Sequence, residues 1–229
     1  MELNKSKEKI RGMFDEIAHR YDFLNHFFTL NLDKSWRKQI VKHIKTNNIK
    51  SDIIIDLASG TGDMLLELLK LNPGKAFAFD ISPKMLEILE KKIRHPNLVA
   101  RVTDSENIPL ESESVDIVTI GFGVRNFENL DASLKEINRI LKKDGFLIVL
   151  EMFNFEKRKR LFEFYFTRIM PALGKLISRS ESAYSYLHSS VMNFKTVSEF
   201  SEIASGHGLS LEHRKNNFLN FVHTVYLRK

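Results

Sequence analysis

Between residues 52 and 151, short runs rich in β-branched residues alternate with amphipathic segments that have the spacing of helices. The first run, Asp52 to Ala58, shows no alternation of apolar and polar side chains, as expected of a strand covered on both faces. Strands that alternate with helices are typical of a doubly wound parallel sheet. The later predicted strands cover Ala76 to Asp80, Leu98 to Val102, Val115 to Gly121 and Phe146 to Glu151.

Two helices between these strands are predicted from apolar stripes and from the residues at their ends. Ser82 and Pro83 are a favourable pair for the N-cap and the first helical position, and an apolar stripe follows them. A second stripe comprises Leu134, Ile137 and Leu141, and we expect that helix to end in Lys142 and Lys143, near its negative terminus.

Both ends of the chain are predicted to elaborate the sheet. The first fifty residues have helical periodicity. Thr196 to Glu199 form a capping box that opens a last helix. Two strand-like runs follow, Leu209 to His213 and Phe218 to Leu227, separated by Lys215 to Asn217. We expect one α/β domain with a mostly parallel seven-stranded sheet and a late antiparallel hairpin. It would comprise a helical cap over 1–50, a cofactor-binding core over 51–151, a helical insertion over 152–195, and the final helix and hairpin over 196–229.

Composition and charge limit the setting in which the chain works. It has no cysteine and opens on charged residues with no apolar run behind them, so we expect a cytoplasmic protein without disulfides. The net charge is +6, and residues 156–179 carry seven basic and two acidic side chains among many aromatic ones. This basic segment is either a solvated helix face or a contact for an anionic membrane surface. Because the charges balance over residues 1–155, we expect no nucleic-acid partner.

The loop after the first strand predicts a nucleotide-like ligand at the carboxyl edge of the sheet. Its sequence A-S-G-T-G lets the backbone turn sharply, and Asp80 ends the next strand, where a carboxylate can bind ribose hydroxyls. A dinucleotide and S-adenosylmethionine both fit this arrangement. Leu65 stands where a dinucleotide site needs a small residue, and the acids Asp56 and Asp63 suit a cationic ligand, so S-adenosylmethionine is favoured.

Several motifs together resemble one family of class I methyltransferases. The runs D-L-A-S-G-T-G-D, F-D-I-S-P-K-M-L and G-F-G-V-R-N are similar to the menaquinone/ubiquinone biosynthesis C-methyltransferase family. Y-D-F-L-N from Tyr21, W-R-K from Trp36 and A-Y-S-Y-L-H-S-S from Ala183 extend the resemblance over almost the whole chain. The resemblance implies a Rossmann-like fold, S-adenosylmethionine as cofactor, and methylation of a ring carbon of a polyprenylated quinol, with demethylmenaquinol converted to menaquinol.

Site residues follow from the loops and from the family pattern. Arg125, just past the fourth predicted strand, is the candidate that stabilises a phenolate formed during transfer, with a water as proton acceptor. No metal is expected. The candidates at the acceptor site are Tyr21, Asp22, Asn126, Tyr184 and His188. The loop residues Asp56, Gly60, Gly62 and Asp80, with Thr61, Asp104, Ser105 and Gly121 implied by the resemblance, are the cofactor candidates.

Other functions remain open at this point. Within the same chemistry, the acceptor could be a benzoquinol or another small molecule methylated at oxygen or nitrogen. A nicotinamide-dependent oxidoreductase is a different class, disfavoured by Leu65 and by the lack of a clear Tyr-x-x-x-Lys pair. A homodimer is a further expectation.

Overall fold

A computed structural model of the chain describes residues 4–155 and 181–229. Seven strands form one sheet in the order β3-β2-β1-β4-β5-β7-β6. Strands β1 to β5 are parallel, and β7 runs antiparallel to both β5 and β6. The predicted α/β fold with a late antiparallel hairpin is confirmed. The strands are β1 Ile53–Leu57, β2 Lys75–Asp80, β3 Leu98–Val102, β4 Val115–Gly121, β5 Leu141–Met152, β6 Ser210–Phe218 and β7 Val222–Arg228.

Helices cover both faces of the sheet, which explains the uninterrupted apolar strands. Ile54 and Ile55 of β1 belong to separate buried clusters, one on each face. The first cluster includes side chains of α2, α3, α4 and α6, and the second includes side chains of α5 and α7. No helix among the described residues has the length and apolar content to cross a bilayer. The helices are α1 Lys7–Phe28, α2 Leu32–Thr46, α3 Asp63–Leu68, α4 Pro83–Lys92, α5 Leu130–Ile140, α6 Glu181–Met192 and α7 Val197–Gly206.

The predicted helix starts are confirmed by their caps. The Ser82 hydroxyl accepts a hydrogen bond from the Met85 amide at 3.1 Å. At α7, the Thr196 hydroxyl accepts from the Glu199 amide at 3.2 Å, and the Glu199 carboxylate accepts from the Thr196 amide at 2.7 Å. These bonds satisfy amides that the first turn of a helix leaves without partners.

The predicted end of α5 is wrong. The helix stops at Ile140, and Leu141, Lys142 and Lys143 belong to β5. Leu141 pairs with Val115 of β4, and the ammonium of Lys142 lies 2.8 Å from Asp116 Oδ1. An apolar residue four positions after Ile137 fits a helix stripe and a buried strand equally well, and long-range pairing decides in favour of the strand.

The predicted turn of the late hairpin is also displaced. Residues 215–217 lie inside β6, and the turn falls at Leu219 and Asn220, whose φ angles are +44° and +65°. The Phe221 amide closes it by donating to the Phe218 carbonyl at 3.0 Å. Leucine rarely adopts a left-handed conformation, so the sequence favoured the asparagine pair as the turn.

The predicted insertion over 152–195 lies largely outside the described residues. Its basic segment, 156–179, falls wholly outside them, and its described residues are 152–155 and 181–195, which include α6.

Candidate functional site

Loops at the carboxyl ends of β1 and β4 approach each other closely where the strand order reverses. Ala58 after β1 and Phe122 after β4 both have positive φ, +55° and +59°. A Cβ added at Gly123 would lie 2.6 Å from the Ala58 Cβ, so only glycine lets these loops touch. The crevice outside this point, where parallel sheets bind ligands, is an open cleft with about 690 Å³ of empty space, part of which is open solvent.

The glycine loop after β1 is shaped by its contact with α4. Gly62 has a φ of +88°, and a Cβ there would lie 2.7 Å from Ile93 Cδ1 and 2.9 Å from Leu89 Cγ. Gly60, also left-handed at +54°, lines the cleft and lies against the ring of Tyr21, which is 3.5 Å from the place of a Cβ. Gly60 therefore forms part of the cleft wall, whereas Gly62 lets the loop pack closely against α4.

Asp80 joins the end of β2 to the glycine loop. Its Oδ2 accepts a hydrogen bond from the Gly60 amide at 2.8 Å, and its Oδ1 accepts from the Ser82 amide at 2.8 Å. The side chain lines the cleft yet is 8% exposed, and this burial raises the pKa of Asp80 to about 6. The two amides fix a carboxylate in the position expected for ribose recognition.

Asp56 is buried beneath the same loop, in a smaller cavity that also shares Tyr21 and Gly60 with the cleft. Its Oδ1 accepts from the Thr119 hydroxyl at 2.8 Å, and its Oδ2 is buried without a hydrogen-bond partner among the described residues. Burial raises the pKa of Asp56 to about 7, opposed by the bond from Thr119 and by the charge of Arg37. A buried acid with a free oxygen is suited to a positively charged ligand. The smaller cavity is also lined by Thr61 and Gly121.

The predicted cofactor candidate Asp104 forms an ion pair with the N-terminal helix, and its neighbour Ser105 bonds α5. The ammonium of Lys7 lies 2.6 Å from Asp104 Oδ2 and 3.0 Å from Glu106 Oε2. The Ser105 hydroxyl bonds that of Ser133 at 2.8 Å. Asp104 and Ser105 line the cleft together with Lys7. No pattern in the sequence points to Lys7, because its partners lie about a hundred residues away in the chain.

The cap is also linked to the glycine loop through α4. The Thr61 hydroxyl donates to Asp22 Oδ1 on α1, and the ammonium of Lys92 lies 2.9 Å from Asp22 Oδ2 and contacts Asp63. Tyr21, next to Asp22, lines the cleft, packs edge-to-face against Phe14, and has its pKa raised by burial. These contacts place Tyr21 and Asp22 beside the cofactor candidates.

A second ionic group lies behind the glycine loop. The ligand atoms of His26, Asp33 and Asp63 all lie within 4.8 Å of one another, a spacing that could hold a metal ion. Arg37 contacts Asp33 and lies 3.7 Å from Asp63, so a guanidinium already supplies the positive charge there. We therefore assign no metal to this group.

Arg125 lies on the 3₁₀ turn Val124–Asn126 behind the cleft wall. Its Nη1 donates to Glu151 Oε1 at 2.5 Å and to the Phe122 carbonyl at 2.8 Å, and its Nε donates to the Ser190 hydroxyl at 3.3 Å. Glu151 is fully buried, which raises its pKa, while the charge of Arg125 opposes that rise. The sequence reasoning missed Glu151, although a carboxylate at the end of the apolar run F-L-I-V-L-E was a usable signal.

The neighbouring Asn126 faces the cleft directly. Its Oδ1 accepts from the Tyr186 hydroxyl at 2.9 Å, and its Nδ2 is buried without a partner among the described residues. Burial raises the pKa of Tyr186 to about 12, so this phenol stays a donor. His188 is half-buried on α6, two residues before Ser190, and Tyr184 falls in the same helix.

Lys5 adds a second unforeseen cation to the cleft wall. Its ammonium lies 5.9 Å from the centroid of the Phe194 ring, and burial together with the charge of Arg125 lowers its pKa. Among the predicted site residues whose side chains the structure describes, six line the cleft: Tyr21, Gly60, Asp80, Asp104, Ser105 and Asn126.

Fold and site together define a class I methyltransferase. Solved structures of S-adenosylmethionine-dependent methyltransferases share the fold. One from Thermotoga maritima has a TM-score of 0.64 at 19% identity, covering 95% of this chain and 99% of its own. One from Aquifex aeolicus has a TM-score of 0.58 at 17% identity, covering 82% and 87%.

Sequence comparison narrows the class to one family. The model of the ubiE/COQ5 methyltransferase family matches residues 1–221, and the chain belongs to that family. A demethylmenaquinone methyltransferase of Chlorobaculum parvum is 37% identical over 203 residues, which cover 87% of this chain and 83% of the relative. The ubiquinone/menaquinone biosynthesis C-methyltransferase UbiE of Geotalea uraniireducens is 39% identical over 220 residues, which cover 92% of each. The predicted family and enzyme class are confirmed.

Proposed function

We propose that this chain is an S-adenosylmethionine-dependent C-methyltransferase that methylates the ring of a polyprenylated quinol, converting demethylmenaquinol to menaquinol. One observation carries the proposal. In a chain matched to the family over residues 1–221, a single cleft is lined both by Asp80, held by the glycine loop, and by Asn126 of the G-F-G-V-R-N turn. A cofactor and an acceptor bound there would share one compartment, as direct methyl transfer requires.

The residues of the cleft fit the cofactor. Asp80 would bind the ribose hydroxyls, and Asp104 with Ser105 would contact the adenine. The glycine loop and the free oxygen of Asp56 would hold the cationic amino-acid end, since carboxylates favour positive charge in a buried site. The cofactor supplies an activated methyl group, so the chain itself has to orient two molecules and exclude water.

The part of the cleft that would bind the acceptor has to stabilise negative charge. When a quinol hydroxyl loses its proton, electron density rises at the neighbouring ring carbon, and a nearby cation lowers the cost of the phenolate. Arg125 provides that charge from behind the wall, and the free Nδ2 of Asn126 can donate to the acceptor oxygen. Tyr21 borders the same space, and the hydroxyl of Tyr186 holds the side chain of Asn126. In this scheme a water takes the hydroxyl proton, and the ring carbon loses its own hydrogen to solvent as a proton after it has bonded to the methyl group.

Because an isoprenoid tail holds the acceptor in a membrane, the enzyme would have to act at the membrane surface. We propose that the basic segment 156–179 contacts an anionic lipid surface during acceptor capture, at the inner face of the membrane. We also propose that the chain forms a homodimer, which the mass measured by light scattering during gel filtration would test.

A transfer assay with labelled S-adenosylmethionine tests the proposal. Short-tailed analogues of demethylmenaquinol and of the corresponding benzoquinol are offered, each fully reduced. We expect methylation of the naphthoquinol carbon, identified by mass spectrometry of the product. Transfer only to the benzoquinol would reassign the acceptor ring, and transfer only to oxygen or nitrogen of another acceptor would overturn C-methylation.

A further inference from the structure

The outer side of the cap carries a group of exposed apolar side chains. Phe23 is 56% exposed, Leu30 60% and Leu32 37%. The rings of Phe23 and Phe27 stack with centroids 5.9 Å apart. Seven large apolar side chains are exposed among the described residues, and three of them fall in these ten positions. We call the four residues Phe23, Phe27, Leu30 and Leu32 the α1 ridge.

The α1 ridge is distinct from the face of α1 that builds the site. Ile10, Phe14 and Tyr21 of that helix line the cleft. Phe23 follows Tyr21 by two residues, which turns its side chain about 200° around the helix axis. Apolar exposure of this kind costs solubility and marks an interaction surface when it is concentrated in one place.

Exposed cations flank the α1 ridge. Arg20 lies one helical turn before Phe23, and Lys34 and Lys38 follow Leu32 on α2; all three are exposed. The acid Glu16 is exposed on α1 about two turns before Phe23. The other acids in residues 16–38 already have partners, Asp22 with Lys92 and Asp33 with Arg37. Among the residues that the structure describes, the unpaired charge around the α1 ridge is therefore predominantly positive.

We propose that the α1 ridge docks on an anionic lipid surface, with its apolar side chains in the interface and Arg20 and Lys34 at the headgroups. Apolar residues bordered by cations are the pattern of helices that lie in a membrane surface. Docking there would place the cleft about one helix diameter, roughly 10 Å, from the lipid. The proposal rests on the proposed function, because docking on a membrane serves the enzyme only when its acceptor is held in that membrane.

Co-sedimentation with vesicles tests the apolar part. Phosphatidylcholine vesicles with and without phosphatidylglycerol are mixed with the full chain, with Phe23→Ser/Leu30→Ser, and with Leu66→Ser/Leu211→Ser as the matched control from exposed positions elsewhere. We expect the ridge variant to bind mixed vesicles at least about tenfold more weakly, and the control to bind like the wild type. Equal binding by all three would overturn the proposal. Unchanged vesicle binding with loss of a dimer would show that the ridge joins two copies instead.

The charged part has its own test. Arg20→Gln/Lys34→Gln should weaken binding to the acidic vesicles about fivefold for each charge removed, and high salt should erase the difference. Lys42→Gln/Lys45→Gln, a pair of exposed lysines further along α2, is the control. An equal loss for both pairs would mean attraction by net charge alone and would contradict a docked α1 ridge.

Methyl transfer separates this proposal from the proposed function. The Phe23→Ser/Leu30→Ser variant should keep wild-type turnover with a short-tailed quinol in solution and lose it with a long-tailed quinol in vesicles. If the wild type methylates neither quinol, the proposed function fails while vesicle binding still decides the docking. If the variant loses both activities equally at an unchanged melting temperature, these residues act inside the site and the docking proposal is wrong.

Discussion

Arg125 and Glu151 form a buried ion pair, with 2.5 Å between Nη1 and Oε1, at the ends of the neighbouring strands β4 and β5. From the sequence, we predict that Arg125 is the cation that stabilises the phenolate of the acceptor. The ion pair also makes Arg125 important for stability, because Glu151 is fully buried and its charge would have no opposite charge beside it if the guanidinium were removed.

Arg125→Ala is therefore expected to lose both activity and stability. Removing one preorganised charge should lower turnover about 10²–10³-fold, and breaking the buried pair should lower the free energy of unfolding by about 3–5 kcal/mol. Turnover is measured with the short-tailed quinol, and stability by urea unfolding.

The double variant Arg125→Met/Glu151→Leu separates the two tasks. Replacing both partners by apolar residues should restore much of the stability while turnover stays low. Normal turnover in this variant would show that Arg125 serves only the fold.

Asp80→Asn should weaken cofactor binding. An amide cannot accept from both the Gly60 and Ser82 amides as a carboxylate does, and it loses the charged acceptor for the ribose. We expect a loss of about 1.5–3 kcal/mol in the affinity for S-adenosylhomocysteine, measured by calorimetry. Asp131→Asn, at an exposed position on α5, is the control. Unchanged affinity in the Asp80 variant would move the ribose elsewhere.

Without cofactor, the free energy of unfolding should depend on pH through the titration of Asp56. Burial raises the pKa of Asp56 to about 7, above the unfolded value of about 4. The folded state therefore holds the proton more tightly, and this stabilisation is full below pH ~4 and lost as the pH rises through 7. The slope is at most about 1.4 kcal/mol per pH unit for one proton.

Asp56→Asn should remove that component. The urea midpoints of wild type and variant are measured from about pH 4 to about pH 8, a range that spans the two pKa values of Asp56. The difference between the midpoints separates the effect of Asp56 from that of the other carboxylates. A difference that does not change with pH would contradict a raised pKa.

Two glycine-to-alanine substitutions should change the stability of the protein in opposite directions. Gly62→Ala forces a side chain into a left-handed position 2.7 Å from Ile93 Cδ1, and should cost about 1–3 kcal/mol or more in stability. Gly12→Ala, inside α1 with nothing within 4 Å of the added Cβ, should gain about 0.5–1 kcal/mol. Thermal unfolding of both variants measures this. Tolerance of alanine at position 62 would mean that the loop and α4 are less tightly packed than the geometry requires.

The sequence predicted those parts of the fold that local pattern determines. Buried parallel strands are apolar without interruption, and caps such as Ser82 and Thr196 satisfy amides within their own turn. Leu141 was misplaced because an apolar residue serves a helix stripe and a strand alike, and its pairing with Val115 is a tertiary contact.

The site shows the same division. Glycines and strand-end acids such as Asp80 can be recognised one motif at a time. Pairs such as Lys7 with Asp104, or Arg125 with Glu151, join segments whose meeting depends on the finished sheet. Their partners could not be assigned from spacing along the chain.

The contacts between the cap and the glycine loop bear on how the protein assembles. Helix α1 is synthesised before the sheet and α4, yet Asp22 forms its ion pair with Lys92, which follows it by 70 residues. Contacts with such large sequence separation form late, because the intervening chain must first be ordered. Until α4 has been made and packed against the sheet, α1 lacks its ion pair with α4, and the N-terminal helix should be the segment most open to proteases and chaperones while the chain is still being made.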